Sequence, residues 1–472
     1  MKSFLRALLA CAAAVMVQLA APSAQAATIA ITGATLIHPD RDADGAVAKD
    51  QTIVIEDDRI VAVGPAGRTP VPAGATVIDG RGKWVIPGLI DSHVHFFQSG
   101  NLYTRPDVAA FPSVPYAQEV ARNRKRLPET FKLWLASGVT GVVDIGGPFW
   151  NFEVRDLADR SPAAPRMSVA GPLISMVDRP QLDLGDPPII KIENRLAARA
   201  LVHKESFYHP DYIKVWFINR PGDDFVAQSG IVDETGYTAE LNHIPMAVHA
   251  TELKVAKASL RAGARFLVHS VEDEPIDDEF IALAKRNQLI YCPTLFVRLG
   301  YQYALSNRWT PTEAEKRLAD PQILAGLSGI DRMPEDQWPP AVKRLMQSTA
   351  EPKLPDVIYA NLRRVRDAGI TIAMGTDAGN IGTVHGPSVF REMAMMKEAG
   401  LTPLEVLKSA TVGGSRAIRL EADTGSITPG KFADLVILDG DPLADLENLS
   451  HAYRVLKGGR VYDPVDLMKS LR

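Results

Sequence analysis

His93 and His95 stand two residues apart in Pro87-Gly88-Leu89-Ile90-Asp91-Ser92-His93-Val94-His95, directly after the apolar run Trp84-Val85-Ile86. Alternate side chains of a β-strand share a face, so the two imidazoles point the same way. Side by side at a strand end they make half of a metal site. The same spacing alone also suits two hydrogen-bonded histidines in a turn. Other residues add to the pattern. Lys214 sits within Asp211-Tyr212-Ile213-Lys214-Val215-Trp216-Phe217, with apolar neighbours on both sides. A buried, unpaired ammonium is costly; carboxylated by CO2, the same lysine becomes an anion able to bridge two cations. His249 and His269 each close a short apolar run. Asp377, in Met374-Gly375-Thr376-Asp377-Ala378-Gly379, reads as a turn aspartate favoured by its glycines. It reads equally as a carboxylate that binds a metal and takes a proton from the water that the metal activates.

What must position these residues is a set of short apolar runs separated by helical stretches. The candidate strands are Val85-Ile86, Gly141-Val142-Val143-Asp144-Ile145, Met167-Ser168-Val169-Ala170, Tyr212 to Phe217, Met246-Ala247-Val248-His249, Phe266-Leu267-Val268-His269, Leu289-Ile290-Tyr291-Cys292 and Thr371-Ile372-Ala373-Met374. Near-continuous apolar strands alternating with helices predict a parallel sheet buried on both faces. Eight such units predict a (β/α)8 TIM barrel with insertions, in which all the chemistry-bearing residues arrive at the C-terminal mouth. A doubly wound open sheet is the alternative, but no G-x-G-x-x-G follows the first strand. Residues 97–130, 172–205 and about 296–350 are too long for simple connections, and loops of that kind shape substrate sites.

The two ends of the chain read differently, as short alternating strands broken by Gly, Asp and Pro. Residues 28 to 83 and 422 to 462 are expected to meet as a small composite β-sandwich. The predicted divisions are a signal peptide at 1–26, sandwich at 27–84, barrel at 85–420 and sandwich again at 421–472. Lys2 and Arg6, the apolar stretch Ala7 to Ala21 and the Ala24-Gln25-Ala26 cleavage site make the signal peptide. Its apolar run is too short to span a bilayer. The expected location is therefore periplasmic or secreted. Of the two cysteines, cleavage removes Cys11 and leaves Cys292, so no internal disulfide is expected. A net charge of −4 gives no reason to expect nucleic acid or an anionic membrane as partner; a small-molecule or dipeptide substrate is expected, and a homo-oligomer stays open.

Together, the Pro87 to His95 segment, Ile213-Lys214-Val215, His249, His269, Gly375 to Gly379 and the tail Gly425 to Leu438 resemble the amidohydrolase superfamily. The resemblance spans nearly the whole mature chain and is closest to the imidazolonepropionase-like and Xaa-Pro dipeptidase branch with a carboxylated lysine. It implies that His93 and His95 hold the more buried of two divalent metal ions, His249 and His269 the more exposed, and carboxylated Lys214 bridges them. Asp377 is implied as a ligand of the buried metal and as general base and acid. A metal-bridging hydroxide is implied to attack the scissile carbonyl. Zinc is the default metal for so many histidines. Relatives often end the sixth strand Ile-Glu-His-Gly, whereas this chain reads Leu267-Val268-His269-Ser270-Val271-Glu272-Asp273-Glu274. That acidic run either faces the substrate or is a solvated loop.

His385 and Tyr237 are the candidate substrate contacts; Tyr103, Arg105 and Arg298 in the long loops are weaker ones. His38, His203, His209, His243 and His451 read as surface or capping residues. The favoured activity is an exported binuclear amidohydrolase cleaving dipeptides or N-acyl amino acids. A lactonase or phosphotriesterase on the same metal core and a non-catalytic metal-binding protein are the alternatives. No G-x-S-x-G elbow or H-E-x-x-H motif supports a serine hydrolase or a zincin.

Overall fold

The computed structural model describes residues 28–471; the expected signal peptide lies outside them. Eight parallel strands carry the centre of the molecule: β1 (Leu89–Val94), β2 (Val139–Asp144), β3 (Arg166–Val169), β4 (Ile213–Trp216), β5 (Met246–His249), β6 (Phe266–Val268), β7 (Ile290–Cys292) and β8 (Thr371–Ile372). β1, β2 and β3 form one parallel sheet. β4 to β8 pair in order in a second, which continues past β4 to Leu173–Ser175 and Ile189–Lys191. Backbone contacts join the sheets at both seams. Asp211 N donates to Val169 O at 2.8 Å, and a parallel bridge links Ala170 to Tyr212. At the other seam Ser92 N donates to Met374 O at 2.9 Å, and a bridge links Val94 to Ala378. The arrangement is TIM-barrel-like.

Local sequence explains the helices between these strands. Asp224 accepts hydrogen bonds from the N–H groups of Val226 and Ala227 and starts the helix Phe225–Leu241. Asp277 likewise caps Asp278–Arg286, which has acids in its first turn and Lys285 and Arg286 in its last, each sign matched to the helix dipole. Leu253–Arg261 buries Leu253, Val255, Ala256 and Leu260 against the strands. Among the described residues no helix is long and apolar enough to cross a membrane.

Strands from the two ends of the described chain do meet, but all of them hydrogen-bond into one mixed eight-stranded sheet. Trp84–Pro87 lies at its centre, parallel to Thr28–Ile37 on one side and antiparallel to Leu435–Leu438 on the other. This corrects the expectation that Val85-Ile86 opens the parallel set; that role falls to Leu89–Val94, one step later. Val85 packs into the apolar cluster of the terminal strands and Ile86 into the central core, so these two residues join the layers. Gly88 is the crossing point. A Cβ there would lie 2.1 Å from Thr140 Oγ1, so only glycine lets the chain pass from one sheet to the other.

Candidate metal and catalytic site

β1 delivers His93 from within the strand and His95 just past its end. Asp91, fully buried, holds the strand in place: its Oδ1 accepts from His93 N (3.1 Å) and Thr376 N (3.0 Å), and its Oδ2 accepts from Thr376 Oγ1 (2.6 Å). Burial pushes the Asp91 carboxyl up to about 7. His95 Nδ1 donates to Gly146 O at 2.7 Å. That bond puts the proton on Nδ1 and leaves Nε2 free as a ligand, the usual outer support of a metal-bound histidine.

Lys214 is 1% exposed, and its Nζ has no hydrogen-bond partner. Burial pulls the amine down to about 7 against the opposing attraction of Asp377. His249 ends β5, and its ring lies 4.4 Å from that of His269, which follows β6. His93 approaches His269 from the other side, at 4.9 Å between ring centroids. Burial, and next the neighbouring charges, hold His93, His249 and His269 well below the ordinary histidine value. Neutral imidazole is the form that binds a metal. His269 Nδ1 meets Thr294 Oγ1 at 2.6 Å. Thr294 starts the helix Leu295–Leu305, whose first N–H groups donate to buried Glu392 at 2.8 and 2.9 Å.

Asp377 completes the cluster from the turn after β8. Its N–H donates to His93 O at 2.7 Å, and Gly375 makes the close approach possible: a Cβ there would lie 2.5 Å from Cys292 Sγ. His269, Thr294 and Asp377 all have positive φ, at 72°, 44° and 60°. Left-handed backbone at non-glycine residues is strained and gathers at functional sites.

The donor set fits a divalent metal. Ligand atoms of His93, His95 and Asp377 lie within 4.8 Å of one another. His93 Nε2 and His95 Nε2 are 3.3 Å apart, and Asp377 Oδ1 lies 3.3 and 3.2 Å from them. A tetrahedral ion with bonds of about 2.0–2.1 Å sets its ligands about 3.3–3.4 Å apart. His249 and His269 stand outside this tight trio and line the same cavity as Lys214.

All six residues line one cavity of about 720 Å³. The three long stretches contribute Phe97, Arg105 and Asp107; Leu173, Arg179 and Ile189; and Arg298, Tyr301, Arg344 and Leu345 to its wall. Asp107 is gripped by Arg105 through two hydrogen bonds of 2.7 Å and reached by Arg179 at 3.2 Å. Arg179 also lies over the Trp216 ring at 4.8 Å. The acidic run after His269 resolves into separate contacts: Glu272 pairs with Arg298 at 2.5 Å, and Asp273 accepts from Leu253 N at 2.9 Å. A second cavity, about 940 Å³, opens at the opposite ends of the strands, where Arg265, Lys285, Arg286, Arg416 and Arg419 line it with Glu240 and Glu421.

The two candidate substrate contacts lie elsewhere. Tyr237 is 59% exposed on the outer face of Phe225–Leu241, because Thr235, Gly236, Thr238 and Ala239 are the positions that face inward. His385 is buried outside the cavity lining, its ring stacked on Phe96 and edge-on to Trp134, its Nε2 donating to Gln98 O at 2.8 Å. Burial pulls it down to about 4, so it is a neutral packing group that braces the loop after His95. His38 is buried, not a surface residue; His203, His209, His243 and His451 are exposed. Of the loop residues, Arg105 and Arg298 reach the cavity, while Tyr103 packs edge-on against Phe111. Sequence reasoning missed Asp91, Asp107, Arg179, Thr294, Tyr301 and Asn380. Asp91 carried a signal: like Lys214, it is a charge inside an apolar run.

A parallel α/β core brings imidazoles, a lysine and an aspartate to one end of its strands, the donor set of a metal-assisted hydrolytic site. The amidohydrolase family model matches residues 84–461. The chain belongs to the amidohydrolase family and is a hydrolase acting on carbon–nitrogen bonds. An imidazolonepropionase from Streptomyces griseus subsp. griseus is 27% identical over 412 residues, 83% of this chain and 86% of its own length. The fold is similar to that of a Xaa-Pro dipeptidase solved with methionine in its active site, with a TM-score of 0.67 at 23% identity over 93% of this chain and 100% of that one. It is also similar to that of A. niger ochratoxinase, with a TM-score of 0.69 at 20% identity over 93% and 96%.

Proposed function

We propose that this chain hydrolyses the amide bond of a small, carboxylate-bearing substrate, a dipeptide or an N-acyl amino acid, outside the cytoplasm after signal cleavage. The carrying observation is Lys214: a buried amine without a partner, set among four histidines and Asp377 on one cavity. Pulled down to about 7, it is substantially a free amine at neutral pH, the form that adds CO2. As a carbamate it would bridge two ions, with His93, His95 and Asp377 on one and His249 and His269 on the other. Divalent ions held there, zinc by donor type, supply carbonyl polarisation and water activation at neutral pH. On this reading the two parallel sheets act as one eight-stranded barrel over 89–420, and residues 28–87 and 421–471 form the composite domain, the pairing of Trp84–Pro87 moving the boundary from 85 to just past 87.

The residues themselves do the rest. Asp377 accepts a proton from the attacking water and returns it to the departing nitrogen. Beyond the metal ligands the cavity carries Arg105, Arg179, Arg298 and Arg344 against Asp107 and Glu272, which leaves positive charge for a substrate carboxylate. Phe97, Leu173, Ile189 and Trp216 give the same wall an apolar share.

The test is amino-acid release from a panel of dipeptides and N-acyl amino acids by mature protein reconstituted with zinc and bicarbonate. Release confined to a few carboxylate-bearing members is expected. Silence across the panel with two metal ions per chain bound would reject the amide reading and favour the lactone or phosphotriester alternative.

A further inference from the structure

Asn380 follows Asp377 by three residues and is 3% exposed. Its Nδ2 donates to Asp377 Oδ1 at 2.7 Å. Its Oδ1 accepts from Tyr301 Oη at 2.6 Å and from Arg105 Nη1 at 2.9 Å, and Arg105 Nη1 also donates to Tyr301 Oη at 3.1 Å. Chemistry fixes which way this amide faces. Reversed, its NH2 would oppose a guanidinium N–H and its oxygen would oppose a carboxylate, both repulsive. Arg105 is itself clamped by Asp107, so the side chain that orients the amide is held in turn.

We propose that Asn380 is a positioning residue that gives the two oxygens of Asp377 different tasks and ties that division to the cavity wall through Arg105. This rests on Asp377 being the proton carrier. Oδ1 is the oxygen facing His93 Nε2 and His95 Nε2, and it receives the Asn380 N–H. It is thereby committed to the metal side. No hydrogen-bond donor among the described residues reaches Oδ2, which stands 4.0 Å from His269 Nε2. Oδ2 is left to take the proton from the attacking water and to hand it to the leaving nitrogen, which restores the carboxylate. Without Asn380 the carboxylate can rotate, and either oxygen competes for either task. Arg105 lines the same cavity, so a substrate that pulls on its guanidinium pulls on the group that orients Asp377.

The experiment compares wild type, Asn380→Ala, Tyr301→Phe and Asp377→Asn, each reconstituted with zinc and, in parallel, with cobalt. Turnover is measured on the panel member that wild type hydrolyses fastest. Asn380→Ala should keep two ions per chain and its KM, and lose about 10–100-fold in kcat. Its cobalt form should show a shifted visible absorption, which reads the Asp377 ligand without any substrate. Tyr301→Phe leaves Arg105 to hold the amide and should lose less than Asn380→Ala. A kcat for Asn380→Ala within about twofold of wild type, an unchanged cobalt spectrum, or a loss accounted for by missing metal would overturn the positioning role. Asp377→Asn separates the two claims. If it is inactive while Asn380→Ala is normal, only the positioning role fails; if it too turns over normally, the proton-carrier reading fails.

Discussion

The parallel strands end in two cavities, and the larger is the less organised. At the N-terminal ends, about 940 Å³ is lined by exposed arginines and a lysine, none within ion-pair distance of a carboxylate among the described residues. These cations stand where helices such as Leu253–Arg261 and Asp278–Arg286 finish, and helix C-termini favour positive charge for their own stability. At the C-terminal ends, about 720 Å³ holds buried groups with fixed partners, strained backbone and a lysine with none. The difference teaches that volume does not identify an active site. What marks a candidate site is polar groups gathered on one cavity in water-poor surroundings, where holding them is costly.

The comparison can be broken most directly at Lys214. Lys214→Ala should cut bound metal from two ions per chain toward one and remove nearly all turnover, as counted by elemental analysis and the amino-acid release assay. Full occupancy would show that the lysine bridges nothing. A smaller effect is expected on the wall. Arg179→Met should raise KM about tenfold for carboxylate substrates, the cost of one charged hydrogen bond, with kcat retained; an unchanged KM would take Arg179 out of recognition. A third measurement asks whether a buried polar group outside both cavities behaves as a site. Glu205 is buried and neither carboxylate oxygen has a partner; burial holds it well above the ordinary value of 4.5. The native state therefore keeps a proton that the unfolded chain releases. Its stability contribution is full below the unfolded value and is lost as pH rises through the folded one. Between about pH 5 and about pH 8, thermal midpoints of wild type should fall more than those of Glu205→Gln, with turnover alike in both. Parallel curves would mean the carboxyl is not held protonated. The smallest effect belongs to the larger cavity: Arg265→Ala should change kcat, KM and metal content by less than about twofold, and a large change would end the contrast.

Much of this was legible in the sequence, for a physical reason. A charge or imidazole within an apolar strand, as at Lys214, His249 and His269, is a local anomaly, and strand period plus a shared strand end is enough to place it. The parallel core was legible from the same runs. Asp107, Arg179 and Tyr301 come from long stretches without a period, and no spacing tells which side chains of such a stretch turn inward. His385 and Tyr237 show the converse. Closeness in sequence to Asp377 or β4 suggested contact, but one ring is locked between Phe96 and Trp134 and the other faces solvent. Val85-Ile86 was misassigned because an apolar pair fits either sheet; only the Gly88 crossing separates them.

That crossing ties the site to the far end of the chain. Trp84–Pro87 needs Leu435–Leu438 as its neighbour, about 350 residues further on, and His93 lies six residues beyond Pro87 on the same taut stretch of chain. Contacts so distant in sequence form late. Until those last strands dock, Trp84–Pro87 lacks one of its two sheet neighbours, while the strand bearing His93 and His95 is held by Val139–Asp144 and by the turn after Met374. The cluster itself closes across about 280 residues of chain, because Asp377 must reach His93 and His95.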